Sequence, residues 1–161
     1  MLKKIFTGLV IASAIIYIVI LCQVLFRGFG RAVEMVMMSE DMKYNYFNSI
    51  NLVPFKTIIE YVTGYIDGSM RGNAIRNLVG NLLLLFPLGF YLPFFMKKLS
   101  SVKIYSAVVA VFIIIIEVTQ LITKSGSLDI DDFILNFIGA MIGFIICKYT
   151  PIRSLFNLRP Y

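Results

Sequence analysis

No histidine and no tryptophan occur in this chain, and cysteine occurs only twice. Without His there is no Ser-His or Cys-His relay and no imidazole ligand for zinc. Two cysteines cannot supply a disulfide framework or a thiolate zinc site. Cys22 and Cys147 fall in different apolar runs at different expected depths, so no bond between them is expected. No phosphate-binding G-x-x-x-x-G-K loop is present. Charge is also scarce: only 15% of the 161 residues are Asp, Glu, Lys or Arg, against 59% hydrophobic. That balance removes the ordinary soluble classes and leaves a membrane protein.

Long apolar runs are what the chain does have. A helix of about 20 apolar residues crosses the hydrocarbon layer, and the runs at about 5–26, 77–96, 102–123 and 130–149 are of that length. The expectation is an all-α membrane protein with four transmembrane helices in a single membrane domain over 1–161. Lys3, Lys4, Lys97, Lys98, Lys103, Lys148, Arg153 and Arg159 gather at one set of segment ends with no acid among them. Every acid except Glu117 lies at the other set: Glu34, Glu40, Asp41, Glu60, Asp67, Asp129, Asp131 and Asp132. Positive charge stays inside, so both termini are expected in the cytoplasm, and the net charge of +6 records orientation, not nucleic-acid binding. Val19-Ile-Leu-Cys22 resembles a lipoprotein site only loosely because Leu21 replaces the small residue, so the first run reads as a retained anchor without further function.

The outer segment 27–76 is patterned. Val33–Met38 is apolar enough to lie against the bilayer, and Tyr44, Tyr46 and Phe47 suit the headgroup depth. Beyond Pro54, Phe55, Ile58, Ile59, Val62 and Ile66 recur at helical spacing, with Lys56, Glu60, Thr63 and Asp67 on the other side. This predicts a short amphipathic helix in the outer interface. The alternative is a lid helix packed on the bundle with its polar side to water. Asp67–Gly72 reads as a turn.

The most informative stretch is Ser127 to Gly143. Asp129, Asp132, Asn136, Gly139 and Gly143 fall within about 80° of one helical face, and Asp131 points elsewhere. Upstream, Asn77, Gly80 and Asn81 share a face at the start of the second run, Pro87 predicts a kink, and Glu117 and Gln120 lie one turn apart near the end of the third. An ionisable group inside a span costs about 2–3 kcal/mol or more on insertion scales and usually faces the bundle or water. The expectation is a polar pocket open to the exterior, lined by Glu117, Asp129, Asp132, Asn81 and Asn136, with Gln120 and Asn77 behind them. Gly80, Gly139 and Gly143 are expected to pack helices closely. The plainer account makes Asp129 and Asp132 helix caps, worth about 0.5–2 kcal/mol each, and the Asn residues interhelical glue. Oxygen ligands from Glu117, Asp129 and Asp132 would suit a divalent metal, but binding a cation or sugar hydroxyls requires fewer assumptions, and no cofactor is expected.

In order and spacing, these pieces resemble the VanZ-like family of bacterial membrane proteins. The resemblance runs over about 51–148 and rests on Asn51-Leu-Val-Pro54-Phe55, Gly80-Asn81 with Phe86-Pro87-Leu-Gly89, Glu117-Val-Thr-Gln120, and Asp129-Ile-Asp131-Asp132 with Asn136, Gly139 and Gly143. Where the family pattern carries an Arg three residues before the first Asp, this chain has Gly126, with Lys124 two residues earlier. The resemblance implies a bacterial cell-envelope protein linked to resistance against teicoplanin-type lipoglycopeptides, and it implies no reaction. Three readings follow: a binder of an amphiphilic or lipid-linked ligand such as a cell-wall precursor or lipoglycopeptide, a metal-dependent enzyme on a lipid-linked phosphate or sugar, and a structural or partner-binding protein. Membrane lipids are partners in all three.

Overall fold

The computed structural model describes residues 2–25, 50–123 and 125–150. The expectations for Val33–Met38, Tyr44, Tyr46, Phe47, Lys124, Arg153 and Arg159 fall outside them. The described chain is mostly helical. Helix α1 (Leu2–Leu25) is followed by a short strand β1 (Ile50–Asn51), α2 (Lys56–Ile66), α3 (Arg71–Leu84) and α4 (Leu88–Phe95). A 3-10 turn at Lys97–Ser100 leads to α5 (Val102–Ile122), strand β2 (Leu128–Asp129) and α6 (Ile130–Tyr149). Among the described residues, Lys4–Leu25, Arg71–Phe95, Val102–Ile122 and Ile130–Tyr149 are long and apolar enough to cross a membrane. In lipid a helix satisfies its own backbone, so sequences this apolar have few other ways to span.

The second span begins at Arg71, six residues before the predicted start at 77. Hydropathy marks only the part of a helix that suits lipid, and Arg71, Asn73 and Arg76 add polar turns without breaking the backbone. The same span is divided in two at Leu85–Pro87. Pro87 has no N–H to give, and Leu88 N bonds Leu85 O instead of Leu84 O. The carbonyl thus released at Leu84 accepts the Tyr17 hydroxyl of α1 at 2.8 Å. Helix α1 therefore does more than anchor the chain. Tyr17→Phe should leave that carbonyl unpaired and lower stability by about 1–2 kcal/mol, read as a reduced unfolding midpoint in detergent. An unchanged midpoint would mean that lipid-side water or another donor replaces the hydroxyl.

Packing centres on α6. On one side its Ala140 and Phe144 meet α5: the Tyr105 and Phe144 rings stack with centroids 4.3 Å apart, and the Tyr105 hydroxyl donates to Ala140 O at 3.1 Å. Tyr105, Val109, Ile113, Ala140 and Phe144 are buried and form the core, joined by Leu21 and Leu25 of α1. On the other side α6 lies against α3 and α4 with almost no side chain between them. A Cβ on Gly139 would land on the Leu82 carbonyl, one on Gly143 on the Phe86 carbonyl, and one on Gly89 on the backbone of Gly143 and Phe144. Gly80, expected to pack in the same way, is exposed and has open space where its Cβ would be. It lies about 60° around α3 from Asn77, far enough to leave the seam. The contact order, Leu82 with Gly139 and Phe86 with Gly143, makes α3 and α6 run in the same direction.

Cys22 is exposed and Cys147 buried, and both are free.

Candidate functional site

The polar residues collect where α3 starts, α5 ends and α6 starts, and the folding there is fixed by carboxylates. Asp129 caps α6: it is extended (φ −126°) and its Oδ1 accepts from Asp131 N at 2.8 Å. Being extended, it also extends the chain as β2, which pairs in parallel with β1, Ile50 opposite Leu128 and Asn51 opposite Asp129. Asn51 Nδ2 then reaches Asp129 Oδ1 at 3.0 Å, and the Thr57 hydroxyl of α2 donates to Asp129 Oδ2 at 2.7 Å.

Asp131 is fully buried, although its position on the helical wheel gave it no role in the expected pocket. It faces α2, away from Asp132, and closes that helix. Phe55 stands at the N-cap of α2 with φ 66°, a left-handed backbone unusual for a bulky residue, and its side chain cannot accept a hydrogen bond. Asp131 supplies the missing acceptors from another helix, taking Phe55 N at 2.6 Å on Oδ1 and Ile58 N at 3.1 Å on Oδ2. A negative charge at a helix N-terminus is favourable in its own right. The cap explanation thus accounts for Asp129 and Asp131.

It leaves Asp132 unexplained. Asp132 lies inside the fourth span and turns to α3, where Asn81 Nδ2 bonds Oδ1 closely and Asn77 Nδ2 reaches the same oxygen at 3.5 Å. One turn on, Asn136 is buried and its Nδ2 donates to Asp132 O at 2.8 Å. The other end of two of these amides is idle: Asn77 Oδ1 and Asn136 Oδ1 are buried with no hydrogen-bond partner. An orphan of this kind costs about 1–3 kcal/mol.

Glu117, also buried, joins through the backbone and accepts from Asp129 N at 3.3 Å. Gln120 does not belong to the cluster, contrary to expectation. Its Nε2 donates to Leu25 O at 3.0 Å and ties α5 to the end of α1. Three residues on from Glu117 it is turned by about 60°, enough to face a different neighbour. Glu117, Asp129 and Asp132 are not assembled as one ligand set either: among the described residues no three Asp, Glu, His or Cys side chains are placed to hold a metal ion. Each carboxylate is turned to its own donors.

Tyr61 was not anticipated. It lies one turn beyond Thr57 on α2, on the same half-buried face. Burial, then the nearby Asp132 and Asp129 carboxylates, push its hydroxyl above the ordinary tyrosine range. No periodicity could have singled it out, since its neighbours come from another helix. Asn51 and Thr57 were hidden for the same reason, although Asn51 belongs to the motif that carried the resemblance.

A family model described as VanZ/LLP1 matches residues 14–155, most of the chain, including every residue of this cluster. The chain belongs to the VanZ/LLP1 family. No curated protein and no solved structure matches it. Family membership and the apolar spans together make it a VanZ-like, multi-pass membrane protein.

Proposed function

We propose that this VanZ-like protein is a single-domain component of the bacterial cell membrane that binds the polar head of an amphiphilic or lipid-linked molecule at its acidic end. The observation that carries the reading is Asp132: a carboxylate within a span, held by two amides from another helix, beside two buried amide oxygens that lack partners. Buried polar groups normally find partners, so the two idle oxygens call for an explanation that helix joining alone does not supply. The charge pattern supports an outward acidic end, with Lys97, Lys98, Lys103 and Lys148 at the opposite, cytoplasmic end and both termini inside.

The exposure of α2 favours an interfacial helix over a lid with its polar side to water. Phe55, Ile59, Val62 and Ile66 are turned away from the bundle, Ile66 being 72% exposed, while Ile58, Tyr61 and Gly64 face inward. An apolar stripe in that position is stabilised by acyl chains at the membrane surface. The ligand would then be met in the leaflet where lipid-linked wall precursors and lipoglycopeptides occur, which accords with a role in resistance to teicoplanin-type drugs.

The test is drug susceptibility in cells expressing the wild type, Asp132→Asn or Glu117→Gln, at matched membrane levels. Removing one charge-assisted hydrogen bond weakens binding by about tenfold to a hundredfold, so Asp132→Asn should fall to the level of cells without the protein. Full resistance from well-inserted Asp132→Asn would refute the site. No resistance from the wild type would refute the drug context.

A further inference from the structure

The cluster around Asp132 holds more acceptors than donors. Asn77 and Asn81 both reach Oδ1, and among the described residues no hydrogen bond reaches Oδ2. Asn136, only 5% exposed, and Asn77 each carry an unpartnered buried oxygen. Asn77 Nδ2 reaches the Asp132 carboxylate and Asn136 Nδ2 its main-chain carbonyl, so each idle oxygen belongs to an amide already bonded to Asp132. The idle oxygens and the carboxylate therefore belong to one buried cluster of acceptors where α3 meets α6. No hydrogen bond among the described residues joins Asp132 to a Lys or Arg, and the Asp129 and Asp131 carboxylates lie near it. A phosphate bound at Asp132 would meet carboxylates to which, among the described residues, no Lys or Arg is hydrogen-bonded, and like charges repel. A molecule rich in hydroxyl donors meets the opposite situation. Tyr61 adds an aromatic ring on the α2 side, turned the same way as Thr57, whose hydroxyl is bonded to Asp129.

We infer that the head group taken up between α2, α3 and α6 is a sugar ring. Asp132 Oδ2 and the amide oxygens of Asn77 and Asn136 accept from its hydroxyls, and Tyr61 stands against its apolar face. A ring with equatorial hydroxyls on its rim and C–H groups on its faces matches acceptors on one side and an aromatic on the other. The inference rests on the amphiphile reading and narrows it, setting the sugar of the ligand, and not its phosphate, at Asp132.

The experiment uses the full chain in phosphatidylcholine nanodiscs with two probes of equal chain length, decyl glucoside and decyl phosphate, below solubilising concentrations. Saturation-transfer NMR reads contact with the glucose ring protons. The expected result is saturable transfer in the wild type, binding weakened tenfold or more in Asp132→Asn and several-fold in Tyr61→Leu, and decyl phosphate unable to displace the glucoside. Tyr61→Leu alters a half-exposed helix position and decides the matter should Asp132→Asn fail to fold. Glucoside binding unchanged in both variants overturns the inference. Decyl phosphate bound in preference, and lost in Asp132→Asn, overturns the sugar assignment and leaves the amphiphile reading standing. No binding of either probe overturns the assignment as well, and the resistance assay then decides the broader reading separately.

Discussion

Gly139→Ala should be among the most damaging single changes in this protein. Its new Cβ would occupy the position of the Leu82 carbonyl, a backbone atom that no rotamer change can move aside. The helices must separate, and overpacking of this kind costs about 3 kcal/mol. Gly143→Ala meets the Phe86 carbonyl in the same way. Denaturant unfolding in detergent should show the loss for both. Gly80→Ala is the control: it has open space and should be neutral, or stabilising by up to about 1 kcal/mol through helix propensity. Equal stability of Gly139→Ala and the wild type would rule out the close approach of α3 and α6. The change should also disable binding, since parting the two helices draws Asn77 and Asn81 away from Asp132.

The second large effect concerns Asp131. Asp131→Ala removes both acceptors from the first turn of α2 and leaves Phe55 in its left-handed conformation with nothing to hold it. Two hydrogen bonds to a charged group contribute about 3 kcal/mol or more together. The bundle should remain folded while α2 loosens, because Asn51 and Thr57 on Asp129 are the remaining ties on that side. Amide exchange at Phe55 and Ile58 should accelerate by about a hundredfold, the factor that 3 kcal/mol implies. Exchange in α5 and α6 should hardly change. If α2 stays protected in Asp131→Ala, the carboxylate is not its latch.

These two residues also mark how far the chain could be read from its sequence. The glycine spacing that predicts close packing at Gly139 and Gly143 lies on one helix, as does the face that carries Asp132 and Asn136. Gly80 looked equivalent by the same criterion and is not, because a shared face does not say which neighbour it meets. Gln120 and Asp131 show the same limit. Its place one turn from Glu117 predicts Gln120 in the cluster, yet it binds Leu25; Asp131 points away from the polar face of its own helix and closes another, 73 to 76 residues away.

What the sequence determined by itself are the properties a helix holds alone. The lengths of the apolar runs, the break at Pro87, the cap at Asp129 and the polar stripe of α6 follow from local chemistry and a period of about 3.6 residues. The tertiary structure decided the partners. Which donors reach Asp131 and Asp132, which amide oxygens are left idle, and where Tyr61 stands depend on how α2 and α3 are rotated against α6. That rotation is set by backbone contact at Gly139 and Gly143 and by the pairing of Asn51 with Asp129, between segments far apart in the chain.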